Sequence, residues 1–303
     1  MINNAAVVKI RFIFNPKSGR HGGGADKMPS LIAEFIQKNK LDAEIVETQR
    51  PLHATELAQA AVAEGCGLVV AVGGDGTMNE VATALVGTDA ALGIVPRGSG
   101  NGLVRHLGIP RQGAAALENL LAGEVREIDS GRANEFSFFN VMGAGFDAEI
   151  SERFTRVKRR GFRGYVRTIC GALFSFRRVH CRIFTGGDKV PREEKFFMLS
   201  VANSDQFGNN AFIAPKARVD DGLFDLTLVR RATPWNALPF AVRLMTGKIR
   251  ANKNVLRGSA GSFVIESCDK LPLLIHTDGE PRATSCRVEV TNLPRSLRVM
   301  VPR

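Results

Sequence analysis

No stretch of the 303 residues approaches the roughly 20 consecutive apolar residues that a membrane-spanning helix requires. The longest apolar runs, such as Leu68–Val72, are the length of a strand. The opening MINNAAVVKI lacks a basic stretch followed by an apolar one, so no secretory leader is expected and a cytoplasmic setting is. Cysteine is scarce: Cys66, Cys170, Cys181, Cys268 and Cys286 are an odd, scattered set without a CxxC pair. That argues against a disulfide framework or a zinc site and for reduced, packed thiols. His21, His53, His106, His180 and His276 show no metal-ligand spacing and read as structural or surface residues. Low-complexity linkers and internal repeats are missing too. With 44% hydrophobic and 23% charged residues, disordered and collagen-like classes are excluded. At roughly 150 residues per domain, the length suggests two domains.

The informative excess is basic charge, +11 in all. It is concentrated: residues 153–182 hold ten cations and no acid, leaving 31 cations against 30 acids elsewhere. Aromatic and aliphatic residues interleave with those cations. Arg159, Arg160, Phe162, Arg163 and Tyr165 are accordingly expected to dock on an anionic membrane surface, charges to headgroups and rings toward acyl chains. The bland alternative packs the aromatics on the protein and leaves a solvated basic face. No RNP, KH or helix-turn-helix signature accompanies the charge, so nucleic acid is not the expected partner.

Up to about Glu127, strand and helix patterns alternate, which argues for a parallel α/β sheet. Strands are expected at Val7–Phe14, Ala43–Val46, Leu68–Val72 and Ala91–Val95, with helices at about 28–36, 54–62 and 77–85. Beyond it, short β-rich runs dominate: Phe136–Val141, Lys195–Val201, Leu223–Val229, Ser262–Glu266, Leu271–His276, Arg287–Val290 and Leu297–Val301. They fit an antiparallel sandwich or barrel. Helices interrupt them at the basic segment and at Pro234–Thr246, where Thr233 suits an N-cap and Pro234 the first helical position.

Three glycine-rich loops follow predicted strands of the first region: Asn15-Pro16-Lys17-Ser18-Gly19-Arg20, Gly73-Gly74-Asp75-Gly76-Thr77 and Pro96-Arg97-Gly98-Ser99-Gly100-Asn101. Open α/β sheets bind ligands at such strand ends, and bare backbone N–H groups entering a helix suit an anion. Any one loop could be a plain tight turn. Three at one sheet edge, with Lys17, Arg20 and Arg97, point to phosphate binding. Neither a Walker A nor a GxGxxG pattern is present. Asp75, flanked by glycine, has room to reach a metal or a hydroxyl; its bland reading is a turn-forming Asp. On sequence alone Glu280, in HTDGEP, would more often be a solvated hairpin acid, and Asp278 and Asp225 are candidate supporting carboxylates.

GGDGTMNEV after an apolar strand resembles the nucleotide loop shared by diacylglycerol, sphingosine and NAD kinases and phosphofructokinases. FNPKSGR before it and PRGSGNGLVRHLGIP after it resemble the diacylglycerol/sphingosine kinase family, most of all its bacterial soluble lipid kinases. GAGFDAEI (Gly143–Ile150), ANSDQFGNNAFIAPKARVDDGLFDLTLV (Ala202–Val229) and HTDGEP (His276–Pro281) extend the likeness over nearly the whole chain. The resemblance implies an α/β N-terminal nucleotide-binding domain of phosphofructokinase/NAD-kinase type over residues 1–127. A C-terminal antiparallel β-sandwich domain over 128–295 follows, with a cleft between them and the tail 296–303 returning to the first. It implies a cytoplasmic kinase, peripheral to the inner membrane face, that moves the γ-phosphoryl group of ATP to a diacylglycerol or sphingoid-type hydroxyl with Mg2+. Asn15, Pro16, Lys17, Ser18, Gly19, Thr48, Gly73, Gly74, Asp75, Gly76, Thr77, Met78, Asn79 and Ser99 would line the ATP. Asp75 and Glu280 would be catalytic, and Arg218, Asp221 and Leu223 would hold a structural magnesium through one carboxylate and two carbonyls. A homodimer is left open.

Two rival functions follow from the same residues. A kinase for a soluble substrate such as NAD shares GGDGT but explains neither the NPKSG and GSGN loops nor the basic segment. A nucleotide-regulated lipid-binding protein without turnover would have no use for Asp75 and Glu280 together.

Overall fold

The computed structural model describes residues 8–19, 26–98, 100–155, 171–173 and 176–303. Two compact units result: residues up to Ser130 together with Pro294–Arg303, and Gly131–Leu293.

The first unit is a parallel sheet flanked by helices. Strands β1 (Ile10–Phe14), β2 (Ala43–Glu47), β3 (Leu68–Gly73) and β4 (Ala91–Pro96) lie in the order β2-β1-β3-β4. The end of the last strand, β16 (Arg287–Val301), adds a parallel neighbour to β4 through Arg298↔Ala91 and Val299↔Leu92. Every residue of β1, β3 and β4 is buried, as expected for strands covered on both faces, which read as near-continuous apolar runs. Arg11 in β1 is the exception in chemistry; Glu44 and Glu64 hold its guanidinium.

Helices α1 (Met28–Asn39), α2 (His53–Ala63), α3 (Asp75–Leu85), α4 (Gly102–His106) and α5 (Gly113–Ala122) alternate with these strands. Helix α1 places Met28, Leu31, Ile32, Phe35 and Ile36 on one stripe against Phe12, Phe14 and Leu117 of the core. Burying a side chain such as Phe12 contributes about 1.5–3 kcal/mol. Helix α2 begins at Leu52 in the left-handed region and has no side-chain cap of its own. Glu80 of α3 supplies it, accepting the N–H groups of Leu52 (3.2 Å) and Ala54 (3.1 Å).

The second unit is an antiparallel sandwich. One sheet runs β12 (Val255–Ala260), β11 (Phe224–Val229), β10 (Met198–Ala202), β7 (Val141–Gly145), β14 (Leu274–Thr277) and β15 (Glu280–Ala283). The other contains β13 (Ser262–Ser267), β8 (Val179–Thr185) and β9 (Arg192–Phe196), with β16 pairing β13 from Ser262↔Thr291 to Glu266↔Arg287. Strand β5 (Glu124–Ala133) carries the chain into this unit and pairs β6 (Phe136–Phe138). Phe138, Phe196, Leu199, Phe224, Phe263, Ile275 and Val290 fill the space between the sheets. Helices α6 (Phe146–Thr155) and α7 (Pro234–Met245) complete the described elements.

Four runs differ from their sequence-based form. Lys195–Val201 divides at Phe197 into β9 and β10, which belong to different sheets. Phe136–Val141 divides likewise between β6 and β7. Arg287–Val290 and Leu297–Val301 instead join as one fifteen-residue strand, because β13 pairs its first half and β4 its second. A continuous apolar run cannot announce which sheet each residue will join.

Candidate active site

The strand order β2-β1-β3-β4 reverses direction at β1, so the crevice between the carboxyl ends of β1 and β3 is a topological switch point. The loops Asn15–Gly19 and Gly73–Gly74 begin there. Asn15 ties them together: its backbone N–H donates to the Val72 carbonyl (3.0 Å) and its amide Nδ2 to Thr77 Oγ1 (2.9 Å). Its Oδ1 accepts the Lys17 N–H at 2.9 Å, folding the loop back on itself. Thr48 reaches the same edge, with its N–H on the Phe14 carbonyl at 2.9 Å. The exposed Lys17 ammonium forms no ion pair among the described residues.

The loop after β4 closes the other side. Arg97 N–H donates to the Gly73 carbonyl at 2.6 Å, and Gly98 lies against Gly74. A Cβ on Gly98 would stand 3.0 Å from Gly74 Cα and 2.8 Å from Asn101 Oδ1, so only glycine permits this approach without movement. Arg97 differs from its expected role. Its guanidinium makes a two-pronged pair with Asp26 (3.0 and 2.6 Å) and sits 5.2 Å over the Phe14 ring. It braces the loop, and its charge is already compensated.

Asp75 occupies the first turn of α3, where the helix dipole favours an anion. Asn101, left-handed at φ +49°, donates its N–H to Asp75 Oδ2 at 3.0 Å. Burial pushes the Asp75 carboxyl above its ordinary range, against the pull of the Asn101, Asp75 and Gly102 N–H groups and the Arg105 charge. Thr77, Met78 and Asn79 are buried, with Met78 contributing to the packing of α3. Ser99 lies outside the described residues, as do Arg159, Arg160, Phe162, Arg163 and Tyr165 of the expected docking segment.

In the second unit Glu280 opens β15 after a tight turn, Asp278 and Gly279 both having positive φ (+52° and +88°). Its exposed carboxylate pairs with Arg282 at 2.8 Å. Arg282 is braced over the Phe136 ring. Asp278 has a different task from supporting chemistry: it accepts the N–H groups of Phe139, Asn140 and Val141 at 2.9–3.0 Å. Beneath the turn, Gly279 N–H donates to His276 Nδ1 (3.2 Å), which assigns the ring proton to Nε2, 3.3 Å from Asp147 Oδ2. Ser200 donates to that same oxygen at 3.3 Å. Gly143 makes the meeting possible, since a Cβ there would overlap both Asp147 and His276. The GAGFDAEI and HTDGEP segments are thereby one structural assembly, its Asp and its His standing 129 positions apart in the sequence.

The oxygen donors suit a hard cation such as magnesium. Asp75 could hold one with phosphate oxygens. At the second expected site Asp221 accepts the Leu223 N–H at 3.1 Å, and Arg218 pairs with Asp220 at 3.4 Å. One carboxylate with the Arg218 and Leu223 carbonyls would offer a hard cation three oxygen ligands, the rest of its shell being water. Burial pushes the nearby Asp225 carboxyl up, opposed by Ser259 and Arg257. Among the described residues, the grouping of three potential ligands is elsewhere: His180, Glu193 and Cys268 on the outer face around β8. Sequence spacing concealed it, because cross-strand neighbours are remote in sequence. Asp26 and Glu80 escaped the sequence reading for the same reason.

Comparison with known proteins bears on the whole chain. Residues 9–133 match the diacylglycerol kinase catalytic domain, and residues 140–301 the YegS C-terminal NAD kinase beta sandwich-like domain. A Pseudomonas aeruginosa protein named "Probable lipid kinase YegS-like" is 32% identical, covering 94% of this chain and 92% of its own. A Bacillus subtilis protein named diacylglycerol kinase is 28% identical over 97% of each chain. The crystal structure of a diacylglycerol kinase from Bacillus anthracis has the same fold at 20% identity, with a TM-score of 0.74 over 98% of both chains. Its catalytic and sandwich domains, matched in order along the sequence, show that this chain belongs to the diacylglycerol kinase-like family of phosphotransferases with an alcohol acceptor.

Proposed function

We propose that this protein is an ATP-dependent lipid kinase that phosphorylates the hydroxyl of a diacylglycerol or sphingoid-type lipid at the inner membrane surface. The observation that carries this reading is the half-buried Asp75 carboxylate, held by Asn101 where three anion-suited loops converge. Phosphoryl transfer asks mainly for alignment and compensation of charge. Backbone N–H groups at the start of α3 would bind the phosphates, with Asn15–Gly19 lining the nucleotide and Lys17 adding a cation. Magnesium, when bound with the triphosphate, offsets its remaining charge. Asp75, whose raised pKa makes it a better base than an ordinary Asp, or Glu280 would accept the lipid hydroxyl proton. Domain limits of 1–127 and 128–295, with the tail 296–303 on the first domain, are part of this proposal.

The test is lipid phosphorylation with ATP and magnesium by Asp75→Ala and Glu280→Ala. Loss of one proton acceptor should lower turnover by about 10²–10⁴-fold. Full activity in both variants would overturn the mechanism.

A further inference from the structure

Helix α7 carries apolar side chains on two opposite faces. Phe240 and Leu244 are half-buried and pack against Ile213, Val229, Ile249 and Val255. The Phe212 N–H donates to the Leu244 carbonyl at 2.9 Å, fastening that side down. On the outward side Trp235, Leu238, Val242 and Met245 are 91%, 73%, 53% and 55% exposed. Steps of three, four and three residues keep these four on one stripe at about 100° per residue, roughly opposite Phe240 and Leu244. An ordinary surface helix turns polar residues outward. Here four of the nine large apolar side chains exposed among the described residues form a single ridge.

The charge around the ridge is of one sign. Leu226–Ile265 contains seven cations and no Asp or Glu. Arg230 is paired with Glu194 at 2.6 Å, and Arg257 stands 3.7 Å from Asp225. Arg231, Arg243, Lys248, Arg250 and Lys253 are exposed, and none forms an ion pair among the described residues.

We infer that α7 is a membrane-docking helix whose Trp235, Leu238, Val242 and Met245 ridge enters the acyl boundary of an anionic phospholipid bilayer, while Arg231, Arg243, Lys248, Arg250 and Lys253 meet its headgroups. A single Trp at a helix end, with aliphatic groups following, matches the amphipathic anchoring seen at such boundaries. A second copy of the chain is a poorer occupant: an isologous contact would bring identical, uncompensated cations together. Nucleic acid would use the cations and leave the ridge exposed. Such docking would give the proposed lipid kinase a way to reach its substrate through residues other than the cations of 153–182. It rests on the lipid-kinase reading for its purpose only.

Trp235 is the sole tryptophan of the chain and therefore its own reporter. The full chain is titrated with phosphatidylcholine vesicles with and without phosphatidylglycerol, following tryptophan emission and co-sedimentation. A blue shift is expected with the anionic vesicles, and added salt should weaken it. Leu238→Ser/Val242→Ser should reduce vesicle partitioning about tenfold or more, since two apolar side chains lose their burial. Arg243→Gln/Lys248→Gln should weaken the preference for phosphatidylglycerol. Turnover on a short-chain, monomeric lipid alcohol is measured in parallel. Vesicle binding without turnover on any lipid would count against the kinase reading and leave the docking intact. Emission unchanged by anionic vesicles, or partitioning unaffected in Leu238→Ser/Val242→Ser, would overturn the docking. So would a vesicle-independent blue shift that tracks dimer formation in sedimentation, which would assign the ridge to a second copy.

Discussion

The backbone N–H of Asn101 donates to Oδ2 of Asp75 at 3.0 Å, tying the loop after β4 to the first turn of α3. Asn101 manages this only by adopting a left-handed backbone, φ +49°, which Asn tolerates better than most residues. Its Nδ2 meanwhile donates to the Gly98 carbonyl at 2.8 Å. One asparagine thus shapes a loop and orients the carboxylate on which the proposed chemistry depends.

Asp75 should show a particular pH signature. Its carboxyl titrates higher in the folded chain than in the unfolded one, so the folded state holds the extra proton between the two values. Stability therefore falls as pH rises through that window and stays lower above it. Asp75→Asn keeps an oxygen for the Asn101 N–H and removes the charge. Its urea midpoint should equal or exceed the parent's at neutral pH, and the difference should vanish below the unfolded value of 3.8. A variant that is weaker at neutral pH and recovers in acid would mean the charge is favourably held.

Gly98→Ala should damage the site through the backbone. The added Cβ would meet Asn101 Oδ1 at 2.8 Å and Gly74 Cα at 3.0 Å. Separating the two loops should cost about 1–3 kcal/mol of stability. It should also raise the KM for ATP more than it lowers turnover. Urea denaturation with steady-state kinetics checks both, and an unchanged KM would remove Gly98 from the nucleotide loop.

Asp278→Ala should destabilise the second unit by about 2–4 kcal/mol, because three backbone N–H groups lose their acceptor. Asp278→Asn retains one acceptor oxygen and should cost less. Hydrogen exchange at Phe139, Asn140 and Val141 gives the local readout. Protection that survives the alanine substitution would contradict the assigned role.

Much of this molecule was legible as sequence. Apolar runs at Leu68–Val72 and Ala91–Val95 became β3 and β4 because burial on both faces admits few other residues. The change after Glu127 from alternating helices to short strands matched the change from a parallel to an antiparallel unit. Legibility failed where a residue's partner is distant along the chain. Arg97 looked like a phosphate cation until Asp26, 71 residues away, was found to hold it. Asp278 looked like a reserve acid and instead organises a strand 137 residues away.

Charge shows the same division. Subtracting the cations of 153–182 left a nearly neutral remainder, and that average hid the acid-free stretch Leu226–Ile265, whose cations are balanced by acids elsewhere. The helical spacing of Trp235, Leu238, Val242 and Met245 is equally present in the sequence, though spacing alone does not say which face of a helix meets the core.

The sequence by itself determined the order of the glycine-rich loops, the α/β and sandwich regions, and the family, since these rest on local pattern and motif order. Tertiary structure decided which loops meet at the switch point beside β1, which cations are already paired, and which face of α7 looks outward. The physical reason is range. Backbone propensity and hydrophobic period act over a few residues, whereas hydrogen bonds, ion pairs and burial are settled by neighbours that only the folded chain brings together.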